Sequence, residues 1–299
     1  MPSRLPLPAP LTRWGSPQQW RALIRRHSSN RRSLWLLLAA LLFGWNTAVL
    51  GLAGVAPDTQ VLNLLLWFGC LIALEDRLAE LWPRPSRASL LAGTLLLTLT
   101  LWRGDFSTMG QDRIFYLFLP LLVLGLALLN QPFRSLRLFI VPLVISLLLP
   151  ITRVLFATHP VIIPLTTVLT WLTLMALGFS AEMSGAEIAL GRSGVEVGGN
   201  CTGIDQIIFT LSVALIFLMV FPLRRWLHRW LVLMVAVVGA VLVNVVRITI
   251  LALLVDLPEK SGMPAFAFFH DSMGGLLFSI VSVAVMGWCH TALIDRELA

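Results

Sequence analysis

Cys201, Arg247 and His270 are the residues of this sequence whose types could together carry out covalent chemistry. A thiol attacks a carbonyl carbon once it has lost its proton, and a histidine can take that proton and later protonate a leaving amine. An arginine can stabilise the oxyanion that forms between these steps. A thiol, a base and a cation are the minimal set for acyl transfer through a thioester, and the sequence around each residue supports that interpretation.

Cys201 lies in the sequence Gly198-Gly-Asn-Cys-Thr-Gly-Ile-Asp205. Thr202 and Asp205 form a T-x-x-D pattern, which predicts that a helix begins directly after the cysteine. The free N–H groups and the dipole at a helix N-terminus favour the thiolate, and glycines such as Gly203 let a substrate backbone come close. The alternative is an ordinary buried cysteine, which is the more common fate of this residue type.

Arg247 is the one charged residue deep inside a long apolar run, residues 231–255. Placing an arginine there costs at least ~2.5–3.5 kcal/mol on membrane-insertion scales, so we expect it to face the interior of the helix bundle and to have a partner. Asn244 precedes it by three positions and therefore shares its helix face. The alternative is a structural arginine that only ties helices together or extends towards the surface.

His270 stands in Ala267-Phe-Phe-His-Asp-Ser-Met-Gly-Gly275, at the predicted entrance to the last apolar run, with Ser272 as a candidate N-cap. There it could act as the general base and acid, whereas alone it would be an interfacial histidine bonded to water. Cys201, Arg247 and His270 come from three different predicted helices and fall at the same membrane face. Chance would scatter them over both faces.

The composition is that of a membrane protein with several spans. Of 299 residues, 58% are hydrophobic and 12% are charged, and the mean hydropathy is +0.87. A soluble domain carries about 25% charged residues, so a water-soluble fold is excluded. The net charge is +7, and the basic residues are almost all arginines in short segments between the apolar runs. This distribution is typical of residues that orient a membrane protein and does not indicate binding of nucleic acid. Because Cys70, Cys201 and Cys289 lack metal-like spacing, the sequence predicts no disulfide framework, no metal site and no cofactor.

Nine apolar runs are candidate membrane spans. They are residues 34–55, 61–74, 88–102, 114–129, 136–151, 161–179, 203–221, 231–255 and 274–288. The basic segments 21–32 and 224–229 should both face the cytoplasm, which requires an even number of crossings between them. We therefore predict that run 161–179, which is interrupted by threonines and prolines, is interfacial or re-entrant, and that the other eight runs span the membrane.

The predicted fold is an all-α polytopic membrane protein with about eight transmembrane helices and one small extracytoplasmic hairpin before the site cysteine. The hairpin is predicted at 187–197, where apolar and polar residues alternate around a Gly/Ser turn. An uncleaved basic cytoplasmic tail, 1–33, precedes the membrane domain, 34–290, and a second cytoplasmic tail, 291–299, follows it. Both termini are then cytoplasmic, and the site-bearing part, 142–288, presents its site on the outer face.

These motifs resemble the exosortase/archaeosortase family of membrane transpeptidases. The family pattern is a C-[ST]-G cysteine, an N-x-x-R arginine and a late histidine, and this sequence has Cys201-Thr-Gly203, Asn244-Val-Val-Arg247 and Phe269-His270 in that order. The resemblance covers roughly residues 142–288. The sequence departs from many members in the threonine after the cysteine and in the Gly-Gly-Asn before it, and this stretch is similar to the cyanobacterial branch of the family.

The resemblance implies a plasma-membrane enzyme that cleaves the C-terminal sorting signal of exported proteins, which is a short motif, a transmembrane helix and an Arg-rich tail. Cys201 would form a thioester, His270 would be the general acid and base, and Arg247 would stabilise the oxyanion or the thiolate. The supporting residues would be Thr202, Gly203 and Asn244. An amine or similar nucleophile would then transfer the protein to a surface acceptor, with an accessory membrane protein as a possible partner.

Three other classes of function stay open at this point. A small-solute transporter would also explain eight spans and a buried arginine, but the two halves of the sequence show no paired repeats or broken helices in corresponding positions. A membrane phosphatase needs several clustered basic residues for the phosphate oxygens, and Arg247 alone is available on the outer side of the core. A non-catalytic membrane assembly protein would need none of the three site residues.

Overall fold

The computed structural model describes residues 30–75, 81, 85–107, 113–155, 162–191, 193–198, 201–258 and 261–298. Most of the predicted tail 1–33 lies outside the described residues. By their contacts, the residues group into two compact units, 1–44 and 45–299, and the boundary falls inside the first helix. All the residues of the candidate site belong to the second unit.

Helices account for most of the described chain. This is what long apolar runs require, because a helix satisfies its own backbone groups where no water can. Ten α-helices are formed within the described ranges: α1 Asn30–Leu52, α2 Pro57–Glu75, α3 Arg87–Ser107, α4 Phe118–Asn130, α5 Ile140–Leu155, α6 Ile162–Ala176, α7 Ile204–Val220, α8 Trp226–Val255, α9 Met263–His270 and α10 Ser272–Leu298. Short 3₁₀ helices, Arg113–Leu117 and Phe133–Phe139, lead into α4 and α5.

Five helical segments in the described residues are long and apolar enough to cross a membrane: Ser33–Leu52, Pro57–Glu75, Phe133–Ile151, Trp226–Val255 and Ser272–Leu298. Shorter apolar helices are Ile114–Asn130, Ile162–Ala176 and Ile204–Val220. The chain is thus an all-α membrane protein, while the count of eight spans stays a prediction. Several helices are longer than the apolar runs that predicted them: α2 and α3 extend through flanking polar residues to 19 and 21 residues, and α8 and α10 reach 30 and 27 residues.

A small antiparallel sheet precedes the site cysteine, in the order β1-β2-β3. Its strands are β1 Ala181–Ser184, β2 Glu187–Leu190 and β3 Ser193–Glu196. Strands β2 and β3 fall in the segment for which the sequence predicts a hairpin, and β1 adds a third strand that pairs with β2. The inner face of the sheet is apolar and packs into a buried cluster that contains Cys201. The Ser193 hydroxyl also donates a hydrogen bond to the Asp256 carboxylate (3.0 Å), which ties β3 to the end of α8.

Helix α8 is the element around which the site is built, since it packs against α6, α7, α9 and α10. Ala236 and Ala240 on this helix are fully buried, and such small residues let neighbouring helices approach closely. The short helix α9 is absent from the sequence prediction, which continues directly into the last span. It folds against the end of α8 through Gly262, where a Cβ would overlap the carbonyl oxygen of Leu254.

Candidate active site

The segment Cys201-Thr-Gly203, called the cysteine loop below, is held by hydrogen bonds from two different helices. Asn244 of α8 donates its side-chain N–H to the Cys201 carbonyl (3.1 Å), and the Thr166 hydroxyl of α6 donates to the Thr202 carbonyl (3.2 Å). Cys201 N–H itself bonds to the Gly198 carbonyl (2.8 Å). Two consecutive peptide groups are therefore fixed in orientation, and the conformation of the cysteine with them.

The backbone conformation at position 203 explains why a glycine follows Cys201 and Thr202. Its φ is +78°, a left-handed conformation that side chains rarely adopt, and a Cβ on it would lie 2.5 Å from the Asn244 side-chain nitrogen. The predicted capping pattern is shifted in the structure. Gly203 is the N-cap of α7, and the Thr202 hydroxyl accepts a bond from Ile204 N–H (3.3 Å) rather than from the N–H of Asp205.

Arg247 is buried, with 6% of its surface exposed, and its guanidinium binds the end of α9. Its Nε donates to the Phe269 carbonyl (3.0 Å) and its Nη2 to the His270 carbonyl (2.9 Å). The last carbonyls of a helix have no partner within it and carry the negative end of its dipole, so a cation is the favoured cap there. Arg247 thereby fixes the backbone of His270 relative to α8 and Asn244.

Burial and the charge of Arg247 act on the Cys201 thiol in opposite directions. The residue is 7% exposed and packs in the apolar cluster with Ile188 of β2 and Ile248 of α8. This burial raises the pKa of Cys201 above its ordinary value, and the positive charge of Arg247 offsets part of the rise. The sequence predicts a setting that favours thiolate, but in the structure the apolar surroundings outweigh the helix N-terminus. Burial thus disfavours ionisation of this thiol, and the charge of Arg247 favours it.

His270 contributes an exposed imidazole, whose ring stacks on Phe266 of the same helix (centroids 5.3 Å apart, planes at 14°). Among the hydrogen bonds of the described residues, none joins this ring to the Cys201 thiol. The role of His270 as the general base stays a prediction, because catalytic hydrogen bonds often form only when substrate is bound. The predicted N-cap is also corrected by one position, since Ser272 is already the first residue of α10 and Asp271 precedes it.

A cavity of about 270 Å³ opens beside the cysteine loop. Gly203, Arg247 and His270 line it, together with residues of α2, α7 and α10. Cys201 is not among the lining residues, because it belongs to the apolar cluster under the sheet. The structure thus brings the loop of Cys201, Asn244 and Arg247 together, and His270 lines the same cavity as Gly203 and Arg247.

Two residues that position the site escape sequence reasoning. In the sequence, Thr166 stands out only because it interrupts an apolar run. The series of threonines in α6 is the signal that this helix makes a polar contact. Gly274 allows α10 to begin directly against α9, because a Cβ there would lie 2.6 Å from the Cα of Phe269. The Gly-Gly pair after the histidine signals such a close approach.

A family described as transmembrane exosortase matches residues 56–287. This range includes Cys201, Asn244, Arg247 and His270 as well as Thr166. No curated protein and no solved structure matches the chain.

Proposed function

We propose, because this chain belongs to the transmembrane exosortase family, that it is a cysteine transpeptidase that cleaves C-terminal sorting signals of exported proteins. Family membership supports a membrane transpeptidase in general. The observation that carries the finer proposal is the fixed geometry of the cysteine loop: Asn244 holds the Cys201 carbonyl, and three positions later on the same helix Arg247 holds the backbone of His270. Arg247 and His270 line the same cavity as Gly203, and Cys201 precedes Gly203 by two positions in the loop that Asn244 holds.

In the proposed reaction, the Cys201 thiolate attacks the scissile carbonyl carbon of the sorting signal. A C–S bond forms, the C–N bond of the peptide breaks, and His270 passes the proton taken from the thiol to the leaving amine. Arg247 lowers the cost of the charge that appears on sulfur and then on the carbonyl oxygen. A second nucleophile resolves the thioester, restores the thiol and releases the exported protein onto its acceptor.

The test of this function is a covalent adduct on Cys201. An exported protein ending in a short motif, an apolar helix and an Arg-rich tail is co-expressed with the enzyme, and the enzyme is quenched in acid and analysed by intact-protein mass spectrometry. We expect a mass increase equal to the cleaved precursor on Cys201, lost on treatment with hydroxylamine as a thioester requires. Cys289→Ala should keep the adduct. An adduct of equal yield in Cys201→Ala protein would disprove the assignment of the nucleophile.

For the topology, we propose eight spans, cytoplasmic termini and a site on the extracytoplasmic face of the plasma membrane. Support comes from the distribution of the arginines, which favours the cytoplasm for segment 224–229. Cys201 lies at the opposite end of α7 from that segment and precedes the first residue of the helix. The domain limits proposed from the sequence, a membrane domain at 34–290 between two cytoplasmic tails, follow from the same arrangement.

A small membrane-impermeant methanethiosulfonate should label Cys201 in intact cells that carry the Cys70→Ser/Cys289→Ser protein. Arg247 opposes the effect of burial, so Arg247→Met should raise the pKa of the Cys201 thiol further. The pH at which the labelling rate increases should therefore be higher in this variant than in the parent. Arg229→Met is the matched control, since Arg229 also lies on α8 and donates to a backbone carbonyl, that of Leu223 (2.7 Å), away from the cavity. Labelling only after permeabilisation would contradict the proposed topology.

A further inference from the structure

Strand β3 forms one edge of the small sheet and is the last strand before the cysteine loop. Val197 N–H donates to the Ala186 carbonyl (2.9 Å), in the register of the β2–β3 pair. In an antiparallel pair the bonded residues alternate along each strand, so Val195 and Val197 direct their N–H and C=O groups towards β2. The backbone groups of Gly194 and Glu196 therefore point away from β2, along the outer edge of the sheet.

The outward backbone groups of β3 are largely unpaired. Among the hydrogen bonds of the described residues, none involves the N–H or the C=O of Gly194 or the N–H of Glu196. The Glu196 carbonyl accepts a bond from Gly198 N–H (3.0 Å), and both Gly194 and Glu196 are exposed. This edge, called the open edge of β3 below, therefore presents two N–H donors and one carbonyl acceptor in the pattern of a strand that lacks its neighbour.

The opposite edge of the sheet, formed by β1, is covered by helix α6. The Trp171 indole N–H of α6 donates to the Ala181 carbonyl (2.9 Å), and Ala181 N–H is bonded to the Phe179 carbonyl (3.1 Å). Of the two outward residues of β1, Met183 alone keeps its N–H and C=O without a partner in the part of the chain that the structure describes. A further strand can therefore be added to the sheet at β3, whereas the indole of Trp171 occupies the corresponding place at β1.

The open edge of β3 is held in place and lies close to the cysteine in the chain. At its start, the Ser193 hydroxyl is bonded to the Asp256 carboxylate of α8, and after its end Val197 packs in the same buried cluster as Cys201. Cys201 N–H bonds to the carbonyl of Gly198, a residue that follows β3 by two positions. Because a strand rises about 3.3 Å per residue, a segment added along β3 needs only a few further residues to reach Cys201.

We propose that the open edge of β3 binds the segment of the exported protein next to the scissile bond as an added strand. The inference rests on the proposed function, in which this segment precedes the apolar helix of the sorting signal, lies outside the membrane as the sheet does, and reaches Cys201. Main-chain hydrogen bonds to Gly194 and Glu196 hold the segment, and its alternate side chains face the side of the sheet where the cluster of Cys201 lies.

Disulfide cross-linking tests the added strand without turnover. The full-length enzyme carries Glu196→Cys together with Cys70→Ser, Cys201→Ala and Cys289→Ser, and a series of precursors carries one cysteine at successive positions before the apolar helix. After mild oxidation in vesicles, we expect cross-links at every second position, because alternate side chains of a strand share one face. Ser184→Cys, which is exposed on the same face of β1, is the matched control and should give no periodic pattern. Cross-links at every third or fourth position, or with equal yield at all positions, would overturn the proposal.

A proline in the open edge should weaken binding of the precursor. Glu196→Pro removes the outward N–H and places a ring where the added strand would lie. The KM for the precursor should therefore rise about fivefold, as the loss of one hydrogen bond predicts, with kcat within about twofold of the parent. Glu196→Gln keeps the N–H, and Met183→Pro removes an outward N–H from β1 instead, so both should match the parent. Equal KM values in Glu196→Pro and Met183→Pro would contradict the role of β3.

These outcomes separate the docking of the precursor from the reaction on which the inference rests. Cleavage that requires Cys201, together with cross-linking that lacks the two-residue period, would overturn docking at β3 and leave the transpeptidase intact. Periodic cross-linking to position 196 in a protein that does not cleave the precursor would refute the proposed function while retaining the docking edge. Absence of cross-links at every position refutes the docking edge whether or not cleavage occurs.

Discussion

Arg247→Met should lower the rate of precursor cleavage on the order of 10³-fold, the size seen when a donor to a developing oxyanion is removed. Methionine approximates the length of the side chain but donates no hydrogen bond, so the Phe269 and His270 carbonyls at the end of α9 lose their cap. The pKa of the Cys201 thiol rises at the same time, because burial then acts on it without an opposing charge. The measurement is the initial rate of cleavage by enzyme in vesicles, with membrane insertion checked by protein yield.

Arg247→Lys separates the two contributions of the arginine. A lysine keeps the positive charge near Cys201 but offers a single ammonium in place of the planar fork that reaches two carbonyls. We expect an intermediate rate, with a pH profile close to that of the parent. Arg229→Met, which removes an arginine–carbonyl bond at the other end of α8, should stay within about threefold of the parent. A cleavage rate in Arg247→Met equal to that in Arg229→Met would contradict the role given to Arg247.

Gly203→Ala should abolish most of the activity by displacing the cysteine loop. An alanine at φ +78° costs on the order of 1–3 kcal/mol in backbone strain, and its Cβ would press on the Asn244 nitrogen that holds the Cys201 carbonyl. The side chain of Asn244 is fully buried and cannot move aside into solvent. We expect cleavage to fall at least ~100-fold and the thermal midpoint of the purified protein to drop.

Gly198→Ala is the matched control for this substitution. Gly198 is the other described glycine next to the cysteine; its φ is not positive, and a Cβ added to it would have no atom within 4 Å. Its replacement should leave cleavage within about threefold of the parent. Gly203→Ala combined with Asn244→Ala removes the overlap but leaves the backbone strain, so stability should recover in part while activity should not. Full activity of Gly203→Ala would show that the loop geometry is not needed.

The class of protein and the order of the helices follow from the sequence because they depend on local properties. A deficit of charge and continuous apolar runs leave a helical membrane protein as the one stable solution, and the described helices overlap all nine predicted runs. The first and last residues of the helices were less predictable. Polar residues at the ends of α2 and α3 continue the helix, and Gly262 and Gly274 create the separate helix α9 through close contacts that have no periodic signature.

The sequence by itself also determined which residues could do chemistry, because residue type and the cost of burying a charge single out Cys201, Arg247 and His270 without any coordinates. Only the tertiary structure decided which distant residues hold the site. Asn244 bonds to the carbonyl of Cys201, 43 positions away, and Thr166 bonds to the carbonyl of Thr202, 36 positions away. Arg247 bonds to the carbonyls of Phe269 and His270, 22 and 23 positions away. It also decided that Cys201 is buried and that three carboxylates share its neighbouring cavity. The physical reason is that helical periodicity fixes which face a residue occupies, whereas the packing of one helix on another fixes what that face meets.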